Sequence, residues 1–588
     1  MMLLDPPRLS PPHHAPALES STARAKAGVA RPRRSQVCNC LCVYGSALAL
    51  CLAIMTWSLR LWRADISVPF SYKGDGLFTL LWIKGIIDNG WYLHNDYLGT
   101  PFGSDVHDFP MADNLNFLLL KLMTCFSANP AVVFNVYFLL TFPLAMVSTL
   151  FVLRRLGVSA FAAMATALLY TFLPYHVLRG THGHLFLASY FLVPLAVLVA
   201  LWIAGPRDLQ PGQPHMNNRC LAASVVIALL LSSAGLYYAF FAAFLLICAG
   251  LMRFVQRGTF RAVGISLVLS TVIAAGAILN ALPSIAYRFT YGANPAAIQR
   301  VLAGPELYGL KITQLFLPTT QHRVHAWAEI KAGYDHAAAF GRGDFWYLGV
   351  LGVAGFLILI GRLCFKHGRS AGPALLDVLA VFNIFGLLLA TVGGLGATLS
   401  MFFGPWLRCY ERMSIYIACF SLFAMALVVD RFSRRHRWLC RSAWARASLW
   451  GLILAAGIWD ETGPHYVPFY RDLRETYTRD AQFIAAIEAG LPEGGRIFQL
   501  PYMPFPESDP VCRMGDYEHL RGYLHSKRLR WSYASIKGRD GDAWYKERAN
   551  MPPAMMLSEL AAAGFDGIYL DRDGYEDRGR AIEAELTR

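Results

Sequence analysis

Seven carboxylates stand between residues 63 and 113: Asp65, Asp75, Asp88, Asp96, Asp105, Asp108 and Asp113, all Asp and none Glu. Only Arg63, Lys73 and Lys84 oppose them. A short carboxylate on a loop suits fixed geometry, as a general base, an acceptor for a sugar hydroxyl or a ligand for a hard cation. Taken singly, each Asp reads as a turn residue beside glycine, as in Gly74-Asp75-Gly76; taken as a set they read as chemistry. Two basic groups complement them. Arg179-Gly-Thr-His182-Gly-His184 and the pair Arg408 and Arg412 offer donors suited to phosphate, arginine through its bidentate fork and histidine as a second donor. Snorkelling arginines and surface histidines explain the same residues equally well. A further polar set, His322, His325, Tyr334, Asp335, His336, Arg342 and Asp344, reads as a wall or lid over a second substrate. The two His-x-His nitrogens and His107-Asp108 leave a divalent cation, Mg or Mn, open as a cofactor, but their spacing designates no metal ligands.

The elements that must position these residues follow from composition. Of 588 residues, 55% are hydrophobic and only 16% charged, against nearer a quarter charged in soluble chains. The apolar residues come in blocks of about twenty, the length that crosses a bilayer. A soluble enzyme, collagen, a disordered chain and a small disulfide scaffold are thereby excluded. The net charge of +14 is unevenly placed: residues 460–588 hold 17 Lys and Arg against 22 Asp and Glu, so the part before them carries +19 and the part after −5. The basic residues cluster in short loops, which stay cytoplasmic because translocating Lys and Arg is disfavoured. The surplus is therefore a topology signal and not a nucleic-acid footprint.

Threading apolar blocks between the basic loops predicts eleven spans: 43–62, 130–153, 158–175, 185–204, 220–234, 236–253, 262–281, 346–361, 374–391, 411–429 and 443–459. The apolar run 220–254 is read as a hairpin turning at Ser233-Ala234-Gly235, because one long helix would put the later basic loops outside. The N-terminus is then cytoplasmic. Residues 1–36, rich in Pro, Ala, Ser and Arg, are expected to be a disordered basic tail. Residues 37–459 form the transmembrane part, with outer loops 63–113 and 282–345. Within the first loop, Leu77–Ile87 and Leu115–Phe126 are too short to span and are expected to lie on the membrane surface as amphipathic helices, with Lys84 snorkelling. Asp377 is the one acid expected well inside a span, too few for an ion-coupled carrier. Residues 460–588 alternate helical and β-rich runs and read as a small α/β extracytoplasmic domain, with Phe565–Asp573 a strand ending in a carboxylate-bearing loop.

This combination resembles the GT-C class of polytopic membrane glycosyltransferases. The resemblance rests on a first span entering from the inside, an acid-bearing first outer loop with two juxtamembrane helices, a second large outer loop and a C-terminal outer domain. It implies a sugar donor linked to polyprenyl phosphate, and a first-loop Asp that activates the acceptor hydroxyl. The matching position is Asp75 in Tyr72-Lys73-Gly74-Asp75-Gly76, with Asp65 in reserve. By this reading Arg179, His182, His184, Arg408 and Arg412 hold the lipid phosphate, and Lys73, Asp96, Asp105, Asp108, Tyr334 and Arg342 line the substrate site. The implied partners are membrane lipid, the polyprenyl-phosphate sugar and a cell-envelope glycan, lipid or protein acceptor, at the outer face of the inner (cytoplasmic) membrane. An O-antigen polymerase or ligase and a non-catalytic glycolipid flippase or transporter are the alternatives.

Overall fold

The structure, a computed structural model, describes residues 34–208, 216–338, 343–365 and 374–587. Residues 1–33 of the expected tail, and Arg342, lie outside the described residues. Residues 1–43 and 44–588 are two compact units, and the second holds every candidate site residue.

Each of the eleven apolar blocks is helical. Among the described residues six helical stretches are long and apolar enough to cross a membrane: Cys40–Ser58, Pro130–Arg155, Ala160–Thr181, Leu236–Arg257, Phe260–Asn280 and Tyr410–Arg435. Four more, Val193–Ala204, Asn218–Leu231, Gly349–Cys364 and Leu375–Ala390, are apolar but shorter. Ala443–Glu461, 19 residues long, falls in neither group. The run 220–254 is broken, since one helix ends at Leu231 and the next starts at Leu236 after Gly235 at φ +114°. The acid Asp377 sits in the first turn of its helix, paired with Arg362 at 2.5 Å, and not in mid-span.

Six N-terminal helices position the site: α1 (Arg34–Ser58), α2 (Asp75–Asn89), α3 (Asn114–Thr124), α4 (Pro130–Arg155), α5 (Ala160–Thr171) and α6 (Pro174–Thr181). Helix α4 starts on the side chain of Asn129, which accepts from the Ala131 and Val132 amides, with Pro130 at the first helical position. Pro174 separates α5 from α6 by holding Leu173 extended at ψ 144°. On α4 the buried Asn135 fixes the chain leading to Asp75. Its Oδ1 accepts from Phe70 N at 2.9 Å, and its Nδ2 donates to the Ile66 and Val68 carbonyls at 2.9 and 2.8 Å. All the polar capacity of that amide's Nδ2–H2 group is used, as burial demands.

The expectation of a surface helix fails for α2. Every residue from Gly76 to Ile86 is buried, as in a helix packed on all sides. Lys84 does not snorkel: its ammonium is 2.7 Å from Asp88 Oδ2 and lies over the Tyr523 ring. The covering surface comes from the C-terminal segment, which the apolar stripe of α2 alone does not reveal. By contrast α3 buries Asn116, Phe117 and Leu120 and exposes Leu118 and Leu122, the pattern of an amphipathic surface helix.

The C-terminal segment contains a parallel sheet in the order β4-β3-β5, formed by β3 (Arg496–Leu500), β4 (Arg530–Trp531) and β5 (Gly567–Leu570). Two short strands of the first loop, β1 (His94–Asn95) and β2 (Ser104–Asp105), form a hairpin. Around this hairpin, Gly99 N donates to Tyr533 O at 2.8 Å, Trp531 N to Tyr97 O at 2.8 Å, and Ser104 Oγ to Ala534 O at 2.6 Å. Asp88 Oδ2 accepts from Tyr523 at 2.7 Å. The long connection after β3, residues 501–519, leaves the carboxyl edge of the sheet and reaches α2.

Candidate active site

Asp75 is the first residue of α2, where the unpaired amides of a helix N-terminus favour a carboxylate. Its Oδ2 lies 2.6 Å from Nε2 of His184. Two glycine-flanked turns make this pair possible. Gly183, at φ +86°, is packed so tightly on α2 that an added Cβ would stand 2.7 Å from the Asp75 carbonyl carbon and nearer still to Gly76. Gly76 in turn lies against Ser71, whose Oγ would be 2.6 Å from a Cβ there. Thr79 Oγ1 closes the junction by donating to Gly183 O at 2.9 Å. The glycines beside Asp75 and between the two histidines are thus the two halves of one close backbone approach.

His184 also lines a cavity of about 320 Å³ with Arg179, Arg408, Arg412, Glu411, Cys409, Leu307, Tyr308, Gly309, Gln314, Phe345 and Trp346. Three guanidinium groups converge there. Arg179 is 6% exposed and sits over the Phe345 ring, with Glu411 its nearest acid at 3.9 Å. Arg412 lies over the Tyr237 ring at 4.1 Å. The Nε atoms of Arg179 and Arg412 are buried without a hydrogen-bond partner among the described residues. Arg408 is held by Glu507 Oε1 at 3.0 Å, and the same carboxylate binds Arg300 at 2.9 Å. Arg179 and Arg412 share one buried carboxylate, Glu411, so an anion that joined them would offset the cost of their burial.

Burial pushes the Asp75 carboxyl up. The hydrogen bond and charge of His184, with the Arg412 and Arg179 charges, outweigh it, so Asp75 titrates below the ordinary carboxylate value. Burial holds His184 below its ordinary value against the pull of Asp75, and the two arginines add to the lowering. The pair at neutral pH is therefore a carboxylate accepting from the Nε2–H of a neutral imidazole. A carboxylate oriented by an imidazole, beside a cationic cavity, can take a proton from a hydroxyl while the cavity holds an anionic leaving group.

No protein-family model and no curated protein matches the chain. Solved structures do. The fold is similar to that of ArnT from Cupriavidus metallidurans bound to undecaprenyl phosphate, 10% identical, at TM-score 0.49 over 93% of this chain and 95% of that one. It is also similar to the archaeal oligosaccharyltransferase AglB from Archaeoglobus fulgidus in complex with an inhibitory peptide and a dolichol-phosphate, 13% identical, at TM-score 0.45 over 92% and 71%. A third is the arabinofuranosyltransferase AftD from mycobacteria, 14% identical, at TM-score 0.45, where the similarity covers 91% of this chain but 37% of that one. The chain thus spans about a third of the length of AftD.

The other expected site residues fall elsewhere. Asp65 is bound to the Ser67 amide and hydroxyl and faces Arg474 at 3.5 Å. His182 donates Nδ1–H to Leu178 O at 2.7 Å and meets Phe345 edge-on, behind the cavity wall. Lys73 is exposed. Asp96 and Asp105 flank His94, at 2.9 and 2.6 Å, on the β1-β2 hairpin. Asp108 is paired with Arg539 at 2.7 Å. Tyr334, on helix His325–Ala337, is not among the cavity residues. Among the described residues no three His, Cys, Asp or Glu side chains converge as metal ligands. A larger open groove of about 740 Å³ runs along β5, lined by Phe483, Leu557 and Leu560 among others. It gathers no cluster of cations.

Sequence reasoning passed over Asp516, Tyr517 and Glu507, all on the connection after β3. The Tyr517 ring stacks on Phe78 of α2, centroids 4.6 Å apart and planes 2° from parallel. Phe78 is one turn from Asp75, so the connection lies against the first turn of α2. Its four prolines between 501 and 510 signalled a loop but gave no hint of its destination.

Proposed function

We propose that the protein transfers a sugar from a polyprenyl-phosphate donor to a hydroxyl of a cell-envelope glycan, lipid or protein. The observation that carries this is the ionised Asp75, oriented by neutral His184 at the edge of a cavity with three converging arginines. In this reading the acceptor hydroxyl loses its proton to Asp75 as its oxygen bonds to the anomeric carbon. The bond from that carbon to the phosphate oxygen breaks, and the electron pair leaves with the lipid phosphate. Arg179, Arg408 and Arg412 meet the charge that develops on the phosphate, in a partly buried site where such donors count for more than in water. The eleven crossings, a cytoplasmic N-terminus and an outer C-terminal domain follow the distribution of basic loops, and they put this site at the outer face of the cytoplasmic membrane.

The test pairs two variants. Asp75→Asn should abolish transfer from a polyprenyl-phosphate sugar while leaving undecaprenyl phosphate binding within about twofold, since it removes the base and not the anion site. Arg412→Gln should weaken undecaprenyl phosphate binding by roughly tenfold or more, a loss of the size expected for one charge-assisted contact. Full transfer by the Asp75 variant would remove the proposed base, and unchanged lipid binding by the Arg412 variant would remove the proposed anion site.

A further inference from the structure

The three cavity arginines are not held alike. Arg179 and Arg412 have Glu411 as their buried acid, whereas Arg408 is held by a carboxylate from the C-terminal segment. Arg408 Nη2 donates to Glu507 Oε1 at 3.0 Å. The same oxygen accepts from Arg300 Nη2 at 3.4 Å, and Oε2 accepts from Arg300 Nη1 at 2.9 Å. One carboxylate thus joins two guanidinium groups, of which Arg408 lines the cavity and Arg300 does not. The rest of the Arg408 side chain is packed. Its guanidinium lies over the Tyr308 ring at 5.3 Å, and a Cβ added at Gly304 would stand 3.0 Å from Arg408 Cβ.

Glu507 is itself fixed at both backbone groups. Its N–H donates to the Tyr517 hydroxyl at 3.1 Å, and its carbonyl accepts from Lys537 Nζ at 3.0 Å. Its backbone stands at φ +52°, a conformation that glycine adopts freely and a residue with a Cβ does not. A side chain kept at a strained position points to a use for that side chain. A tether between the C-terminal segment and the rest of the chain is the plain alternative, and Arg300 already supplies one with two contacts. The single contact to Arg408 adds something else, a negative charge at the cavity edge. Burial pushes the Glu507 carboxyl up, but the Arg300 hydrogen bond and the charges of Arg408, Arg300 and Lys537 outweigh it, so the group is ionised at neutral pH.

We infer that Glu507 is a positioning residue of the phosphate site, an internal counter-anion that holds Arg408 at the cavity and competes with the lipid phosphate for it. This rests on the reading of the arginine cavity as the phosphate site. Before the phosphate binds, Glu507 offsets the cost of placing a third cation there. Once it is bound, the same carboxylate is a like charge beside it and loosens the hold, which favours release of the lipid phosphate after transfer. Arg300 moderates this by drawing on both carboxylate oxygens.

Binding of undecaprenyl phosphate to the full-length protein in lipid nanodiscs tests the inference with two variants. Glu507→Gln keeps the shape and an acceptor oxygen for Arg408 but removes the like charge, so Kd should fall roughly fivefold, the scale of one charge acting across partly wet protein. Arg300→Gln leaves the Glu507 charge to Arg408 alone, so Kd should rise by a similar factor. Both variants break the same tether, and a merely structural role would move the two affinities together or not at all. Opposite shifts support the counter-anion; shifts in one direction, or none, overturn it. If either variant fails to fold, hydrogen exchange of the unsubstituted protein decides. Undecaprenyl phosphate should raise exchange in 501–519 as it draws Arg408 from Glu507, and unchanged or slower exchange overturns the competition. If the unsubstituted protein does not bind undecaprenyl phosphate, the phosphate-site reading falls and this inference with it. If it binds and the shifts are not opposed, only the role of Glu507 falls.

Discussion

Replacing Gly183 by alanine should separate the two reasons why a glycine stands there. The residue has φ +86°, which costs an L-residue about 1–2 kcal/mol. The added Cβ would also stand 2.2 Å from Gly76 N and 2.7 Å from the Asp75 carbonyl carbon, where ordinary contact begins at 3.4 Å. The turn and the start of α2 must therefore separate by about 1.2 Å, a crowding that adds roughly 1–3 kcal/mol. A displacement near 1 Å between His184 and Asp75 should lower transfer by on the order of a hundredfold. Gly258 is the control. It caps helix Leu236–Arg257 at φ +66° with nothing within 4 Å of its added Cβ, so Gly258→Ala should show the backbone cost alone. The assay is thermal unfolding in detergent beside transfer from a polyprenyl-phosphate sugar. If Gly183→Ala matches Gly258→Ala in both, the close approach does not position the pair and the account of the two glycine turns is wrong.

Two further outcomes follow from the same geometry. Asp75 must be ionised to act, so activity is present above its lowered pKa and lost as the pH falls through it. His184→Ala removes the hydrogen bond that offsets burial, and the acid limb of the transfer profile should move upward; an unmoved limb would show that His184 does not orient the base. Tyr517→Ala removes a ring that is 2% exposed and stacked on buried Phe78, which should cost about 3–5 kcal/mol locally. The connection 501–519 should then become sensitive to limited proteolysis, and equal protection in the variant and the parent would place the clamp elsewhere.

The helices were legible because their apolar blocks have spanning length; Asp75 was singled out by the resemblance to a first-loop Asp, since by itself a carboxylate between glycines reads as a turn residue. The pairing of Asp75 with His184 was not legible. Its two residues are more than a hundred positions apart, and what joins them is a backbone approach that sequence shows only as glycines with no stated purpose. Asp96, Asp105 and Asp108 misled by proximity in sequence. The hairpin turns them away from the cavity and gives them His94 and Arg539 as partners. Helix α2 misled by periodicity, since one apolar stripe is visible but the C-terminal segment covers the remaining faces. Glu507 carried no signal, because an acid in a proline-rich loop is the ordinary solvated case.

What places the chemistry at the start of α2 is that three independent parts of the chain need that point for structural reasons. The Asn135 amide holds the chain that enters it, the Gly183 turn packs on it, and Tyr517 stacks one turn into it. These contacts bring the side chains of Asp75 and His184 together, and the two pair with each other at 2.6 Å. A carboxylate there is favoured by the helix N-terminus and opposed by burial. His184 and the nearby arginines tip that balance toward the charged form of Asp75. Asp75 is therefore held charged by its neighbours, which is what a base requires.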